Sequence, residues 1–168
     1  MMMPMVKNIL SKVPVKTQLK WGVRGGALLK LPLLAFVWPD VQEVTDERSQ
    51  LLIPCTYRTK NHLNVMYFGA LCMGAEAVIA LHVIDEIRKE GKIDFLFKDF
   101  KAQFLKRAEA DVVFVCEQGL AIREMIKQAR ITKERQTLTF ESYALTPSKT
   151  GNEKVAEFSI TLSVKQRS

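Results

Sequence analysis

Cysteine is scarce in this sequence: Cys55, Cys72 and Cys116 are the only three in 168 residues. Their number is odd, they lie far apart inside apolar runs, and no CxxC or Cys/His metal spacing occurs. That argues against a disulfide framework or a zinc site and leaves three reduced, buried thiols in a cytoplasmic protein as the expectation. The N-terminus is rich in Met and Lys, but no apolar core of the length that marks a secretory leader follows it, so export is not expected. There is no internal repeat and no low-complexity segment. Aromatic and basic residues do not interleave as they do in single-strand binders, and no known nucleic-acid motif is present, so a nucleic-acid partner is not expected.

What the chain does have is an interior. Apolar residues make up 48% and charged residues 26%, a balance that suits one folded domain with a sizeable core. The net charge of +7 favours phosphate-bearing partners without choosing among them. Val65 to Ile84 forms a mostly apolar stretch of 20 residues, close to a membrane-spanning length. It contains Glu76 and His82, which are costly in lipid, and strand-like alternation follows it. A core helix is the expectation, and integral membrane association is not.

Residues 1–38 read as an extension with helical pieces, ahead of a domain at 39–168. Lys16 to Leu34 alternates basic and apolar residues, broken by Gly22, Gly25, Gly26 and Pro32. It suits a helix packed over a sheet edge or an amphipathic helix on a membrane surface, the glycines weakening the second. Arg48 to Arg58 alternates as a strand, with Leu51, Ile53, Cys55 and Tyr57 on one face. Pro54 lacks an N–H, which predicts an edge strand or a bulge there. Thr59 to Asn64 is a polar connection, with Asn64 as N-cap. A helix then runs to about Glu90 and stops at Gly91. Strands follow at Lys98–Lys106, Asp111–Glu117, Arg135–Leu145 and Val155–Lys165. A short amphipathic helix is expected over Gly119–Arg130, and turn chemistry over Pro147–Glu153. A helix apolar nearly all round must be enclosed by protein. Half-buried antiparallel strands curved around it satisfy both elements.

This order, together with the segment NHLNVMYFGALCMGAEAVIAL, resembles the hotdog-fold thioesterase superfamily. The nearest likeness is to its phenylacetate-pathway thioesterase branch and a neighbouring thioesterase-like group. The resemblance covers about residues 40–165. It implies an α+β hotdog fold, a curved antiparallel sheet wrapped around one long central helix. It also implies hydrolysis of an acyl-CoA thioester between two subunits of a homodimer or a dimer of dimers. Coenzyme A enters only as part of the substrate, and no separate cofactor is expected. In that branch the helix N-terminus holds the thioester oxygen, and a helix carboxylate activates water or attacks directly. The matching positions are Asn61 or Asn64 in the loop, Gly69 at the helix start and Glu76 on the helix. Where the branch often has His-Gly-Gly, this chain has Tyr67, Phe68 and Gly69.

Glu76 stands out on chemistry alone, as the only acidic or basic side chain from Val65 to Ile84 apart from His82. Burial raises a carboxylate pKa toward the range that suits a general base. The same residue would also suit an interface pair with Asn or Arg. Helix-start amides at Tyr67, Phe68, Gly69 and Ala70 suit an oxyanion, and Gly69 permits close approach by a ligand or by a crossing strand. Asn61, His62 and Asn64 are placed to orient water or an acyl carbonyl, or simply to shape the turn. His82 is expected in the core. Arg58, Lys60, Lys98, Lys101, Lys106 and Arg107 form a set that suits the phosphates of a nucleotide tail, though each is individually an ordinary solvated residue. Acyl-thioester hydrolysis is the leading function, with a non-catalytic acyl-ligand-binding or structural hotdog protein as the alternative.

Overall fold

A computed structural model of the chain describes Thr17 and residues 31–167. After helix α1 (Pro32–Phe36) come strands β1 (Asp40–Val44) and β2 (Ser49–Ile53), then the long helix α2 (Phe68–Glu90). Strands β3 (Ile93–Phe104) and β4 (Val112–Cys116), helix α3 (Gly119–Thr132), strand β5 (Gln136–Leu145), the single turn α4 (Pro147–Thr150) and strand β6 (Lys154–Gln166) complete the described chain. Six strands form one sheet in the order β1-β2-β4-β5-β6-β3, and every pairing is antiparallel. The sheet curves around α2, as the hotdog arrangement requires.

Alternation sets which face of each strand is inward. Phe158, Ile160, Leu162 and Val164 of β6 are buried on the inner face of the sheet, while their neighbours Glu157, Ser159 and Thr161 face away. Register carries the pattern outward: Phe140 pairs with Ile160, and Ala102 with Phe158. Phe158 anchors the centre, with the rings of Phe100, Phe104 and Phe114 at 5.9, 6.2 and 6.3 Å. Gly74 lets α2 sit close on this cluster, because a Cβ there would lie 2.2 Å from the Phe114 ring. Twelve residues of α2 are buried. The helix is long and apolar enough to cross a membrane, an 18-residue stretch of it having mean hydropathy 1.6, but it is the core helix of this sheet.

Three sequence expectations need correction. The first strand lies inside the sheet rather than at its edge. It ends at Ile53, just before Pro54, so the missing N–H costs no ladder bond, and β1 covers its outer side. Strand β1 was not anticipated; its five residues are too few and too polar to show a period. Asn64 is not the cap of α2: the helix begins at Phe68 with Tyr67 at the N-cap, and Asn64 instead sits in a left-handed turn at φ 61°. Gly91 does close the helix, at φ 65°. The anticipated extension at 1–38 lies mostly outside the described residues.

Strand β3 ends the sheet on the side opposite β1 and, among the described residues, pairs only with β6. Along its inner face Phe95, Phe97 and Ala102 are half-buried, while Phe100 and Phe104 are exposed. The sheet therefore continues past the cover that α2 provides.

Candidate active site

The loop that enters α2 is pinned from several directions. Thr59 is buried, its hydroxyl donating to the Pro54 carbonyl at 2.5 Å and accepting from the Thr56 amide at 2.9 Å. The Met66 amide donates to the Ala108 carbonyl at 2.8 Å, and the Tyr67 amide to the Thr59 carbonyl at 2.7 Å. The helix start is therefore held in place before any ligand arrives.

No side chain caps that start. The amides of Ala70 and Leu71 donate to the Tyr67 carbonyl at 3.0 and 3.1 Å, whereas those of Phe68 and Gly69 make no hydrogen bond among the described residues. Such free amides, at the positive end of the helix dipole, can receive developing negative charge. The Tyr67 ring lies over Gly69, its edge 2.5 Å from where a Cβ would be.

One flank of α2 escapes the sheet. Gly69, Cys72 and Met73 are half-exposed and Glu76 is exposed, while Ala70, Leu71, Gly74, Ala75 and Ala77 between them are buried. Their spacing of i, i+3, i+4 and i+7 makes one stripe. Phe68 opens beside it, packing edge-on against Phe104 of β3 with ring centroids 5.5 Å apart. Glu76 makes no hydrogen bond or ion pair among the described residues, and desolvation raises its pKa above the ordinary glutamate value. Partial burial is the cause, although the residue as a whole is exposed. Cys72 lies on the same stripe, but desolvation raises its pKa too, which keeps it a thiol rather than a nucleophilic thiolate.

The other sequence-derived candidates scatter. The Asn61 side-chain oxygen accepts from the amides of Leu63 and Val65 at 2.9 and 3.4 Å, an Asx turn that shapes the loop. His62 and Asn64 are exposed on that loop. Arg58 is exposed, its guanidinium lying 5.6 to 5.9 Å from the ring centres of Tyr57, Phe36 and Trp38. Lys60 is exposed beside the bridge it forms with Met66. Lys98 sits at the β3 bulge, exposed. Lys101 points to the outer face of the sheet, away from α2, into a shallow recess with Gln103, Glu141 and Glu157. Lys101 is thus on the wrong side of the sheet to share a ligand with Glu76.

His82 is fully buried, as expected, and neither ring nitrogen has a hydrogen-bond partner among the described residues. Burial lowers its pKa to about 4, nearby Arg123 adding to the effect while Asp85, the Cys116 backbone and Asp46 oppose it. Just beyond, a charge network that sequence reading missed joins α2 to α3. Asp85 is buried and accepts from Arg88, Lys89 and Arg123, each at 2.9 Å. Glu86 pairs with Arg123 and Arg130. Arg88 and Lys89 are near neighbours of Asp85 on the helix, but Arg123 and Arg130 come from α3, far along the chain, so no local spacing gives the link between the two helices away.

No curated protein matches this chain. Among solved structures, a protein of unknown function from Chlorobaculum tepidum superposes with a TM-score of 0.76 at 9% identity, covering 90% of this chain and 97% of the other. A mutant thioesterase from Pseudomonas aeruginosa gives 0.65 at 15%, covering 92% and 96%. A thioesterase from Haemophilus influenzae gives 0.63 at 13%, covering 92% and 93%. At these identities the likeness establishes the fold, a hotdog. Residues 20–164 match the family described as Domain of unknown function (DUF4442). That match spans most of the sequence, and the chain belongs to this family.

Proposed function

We propose that the chain hydrolyses acyl thioesters, coenzyme A esters among them, in a pocket that two copies build together, with Glu76 as general base. The observation that carries this reading is the open stripe on α2: a carboxylate without a partner and with a raised pKa, in line with two free helix-start amides. The named thioesterases of the same fold support the reaction class.

The chemistry follows from those groups. Glu76 accepts a proton as water attacks the thioester carbonyl. The amides of Phe68 and Gly69 receive the oxyanion, and the thiol leaves as the tetrahedral intermediate collapses. Within one chain these groups are seven residues apart, about 10 Å along the axis at 1.5 Å per residue. Both must lie about 3 Å from the reacting atoms, and that separation suits a site shared between two copies better than one within a single chain. A second copy, running antiparallel, sets its helix start beside this Glu76. The unpaired edge of β3 offers the means, since open edges invite pairing, and the exposed Phe100 and Phe104 would be covered at the same time. Arg58 and Lys60, near the helix entry, are the basic residues best placed for a nucleotide tail, in a cytoplasmic setting that keeps the thiols reduced.

Thiol release from a panel of acyl-CoA esters tests the activity. Light scattering tests the composite site, and a monomer at micromolar protein would overturn it. A specific observation favours a second reading, non-catalytic acyl binding: the Tyr67 ring covers Gly69, and the Asn61 oxygen is committed to its turn. Binding of an acyl-CoA without thiol release would select that reading.

A further inference from the structure

Helix α1 and the loop beside it present an unusual surface. Leu31, Leu33, Phe36 and Trp38 are 59, 74, 54 and 49% exposed, and Tyr57, across from them, is 84% exposed. None of the α1 residues is buried. Arg58 ties the patch together, its guanidinium against the rings of Phe36, Trp38 and Tyr57. Clustered exposure of large apolar groups marks an interaction site in a folded protein.

Charge identifies the occupant. Up to Pro39 the sequence has six basic residues and no acidic one, leaving 19 basic against 18 acidic from Asp40 onward. The chain's net charge is therefore concentrated in the segment leading into the patch. Large apolar side chains, a tryptophan and a tyrosine gathered around Arg58, with six basic residues and no acid before Asp40 in the sequence, form the combination that seats a protein on an anionic bilayer. Aliphatic groups enter the acyl boundary, aromatic rings settle at headgroup depth, and cations attract the lipid phosphates.

We propose that the α1 patch, with the basic segment before it, docks the protein peripherally on anionic lipid membranes. Glu76 takes no part in this patch, although Arg58 is shared with the nucleotide-tail site proposed above, and membrane docking does not depend on thioester hydrolysis.

Full-length protein is mixed with phosphatidylcholine vesicles, with and without phosphatidylglycerol. Cosedimentation is expected with the anionic vesicles and at least about tenfold weaker with the neutral ones or in high salt. The chain has two tryptophans, Trp21 and Trp38, so a Trp21→Phe variant isolates Trp38, whose emission should shift to the blue on vesicle addition. The double substitution Leu33→Ser, Phe36→Ser should weaken binding at least about tenfold while leaving the melting temperature unchanged, because both side chains are mostly exposed. Absence of both cosedimentation and the emission shift overturns the proposal. So does a Trp38 already shielded from iodide without vesicles, which means the chain's own residues cover the patch. A mass that falls by half in the Leu33→Ser, Phe36→Ser variant also overturns it, by showing that a second copy sits there.

Discussion

Two carboxylates on one helix, Glu76 and Asp85, have opposite fates. Asp85 is the more deeply buried, yet Lys89, Arg88 and Arg123 hold its pKa down at about 2 against the cost of desolvation. Glu76 is more open, yet its pKa is raised, because desolvation acts on it with no cation to offset it. Burial alone does not decide the charge state of a helix carboxylate; the partners do. The C-terminal half of α2 is locked to α3 by ion pairs, while the N-terminal half keeps a carboxylate without a partner among the described residues.

The largest expected effect tests whether that unsatisfied state serves catalysis. Glu76→Gln keeps shape and polarity but removes the base, and should lower the rate of thiol release by about 10²–10⁴-fold. Its melting temperature should not fall, since no partner is lost. Equal hydrolysis by variant and wild type would make Glu76 a structural residue and dissolve the contrast with Asp85.

Asp85→Asn should act in the opposite sense. It leaves Arg123 and Lys89 to Glu86 and the more exposed Asp46 and should cost about 3 kcal/mol in denaturant unfolding, as broken buried pairs do. A loss below about 1 kcal/mol would show the network behaving as a set of surface pairs.

Acid should expose the locked half first. His82 has its folded pKa lowered from 6.5 to about 4, so the unfolded chain takes up this proton first. Stability from His82 is complete above about pH 6.5 and is lost as pH falls toward 4. Asp85, lowered from 3.8 to about 2, adds a further loss as pH falls below 3.8. Glu76 has the reverse sign: its raised folded pKa favours the folded state in acid and is a burden as pH rises through it. Unfolding free energies across pH 7 to 4 should therefore decline, and His82→Leu should flatten the decline. An unchanged slope in that variant would assign the acid sensitivity elsewhere.

The glycines of α2 give the smallest effects and contrast its two sides. Gly74→Ala places a methyl against the Phe114 ring, packed between helix and sheet, and should destabilise by about 1–3 kcal/mol. Gly69→Ala meets only the movable edge of the Tyr67 ring. It should change stability by less than about 0.5 kcal/mol, so any loss of activity would report on access to the helix-start amides. Thermal melts of both variants settle the point.

Much of this was legible in the sequence. Long alternating runs such as Val155–Lys165 show their faces directly, and Gly91 announces the helix end. The fold and the choice of Glu76 follow from such local patterns. Strand β1, at Asp40–Val44, was too short to show a period. Asn64 looked like a cap because capping preference is judged over four residues, whereas the Met66–Ala108 and Tyr67–Thr59 hydrogen bonds decide where α2 begins. Lys101 joined the phosphate set on charge alone, and only the sheet register turned it to the outer face.

The sequence by itself determined that one apolar helix must be wrapped by alternating strands, since side-chain period and burial demand are local properties. The tertiary structure alone decided which flank of that helix stays open. It also paired Asp85 with Arg123 and left Glu76 without a cation. Those outcomes depend on distances between residues far apart in the chain, which no period or spacing encodes.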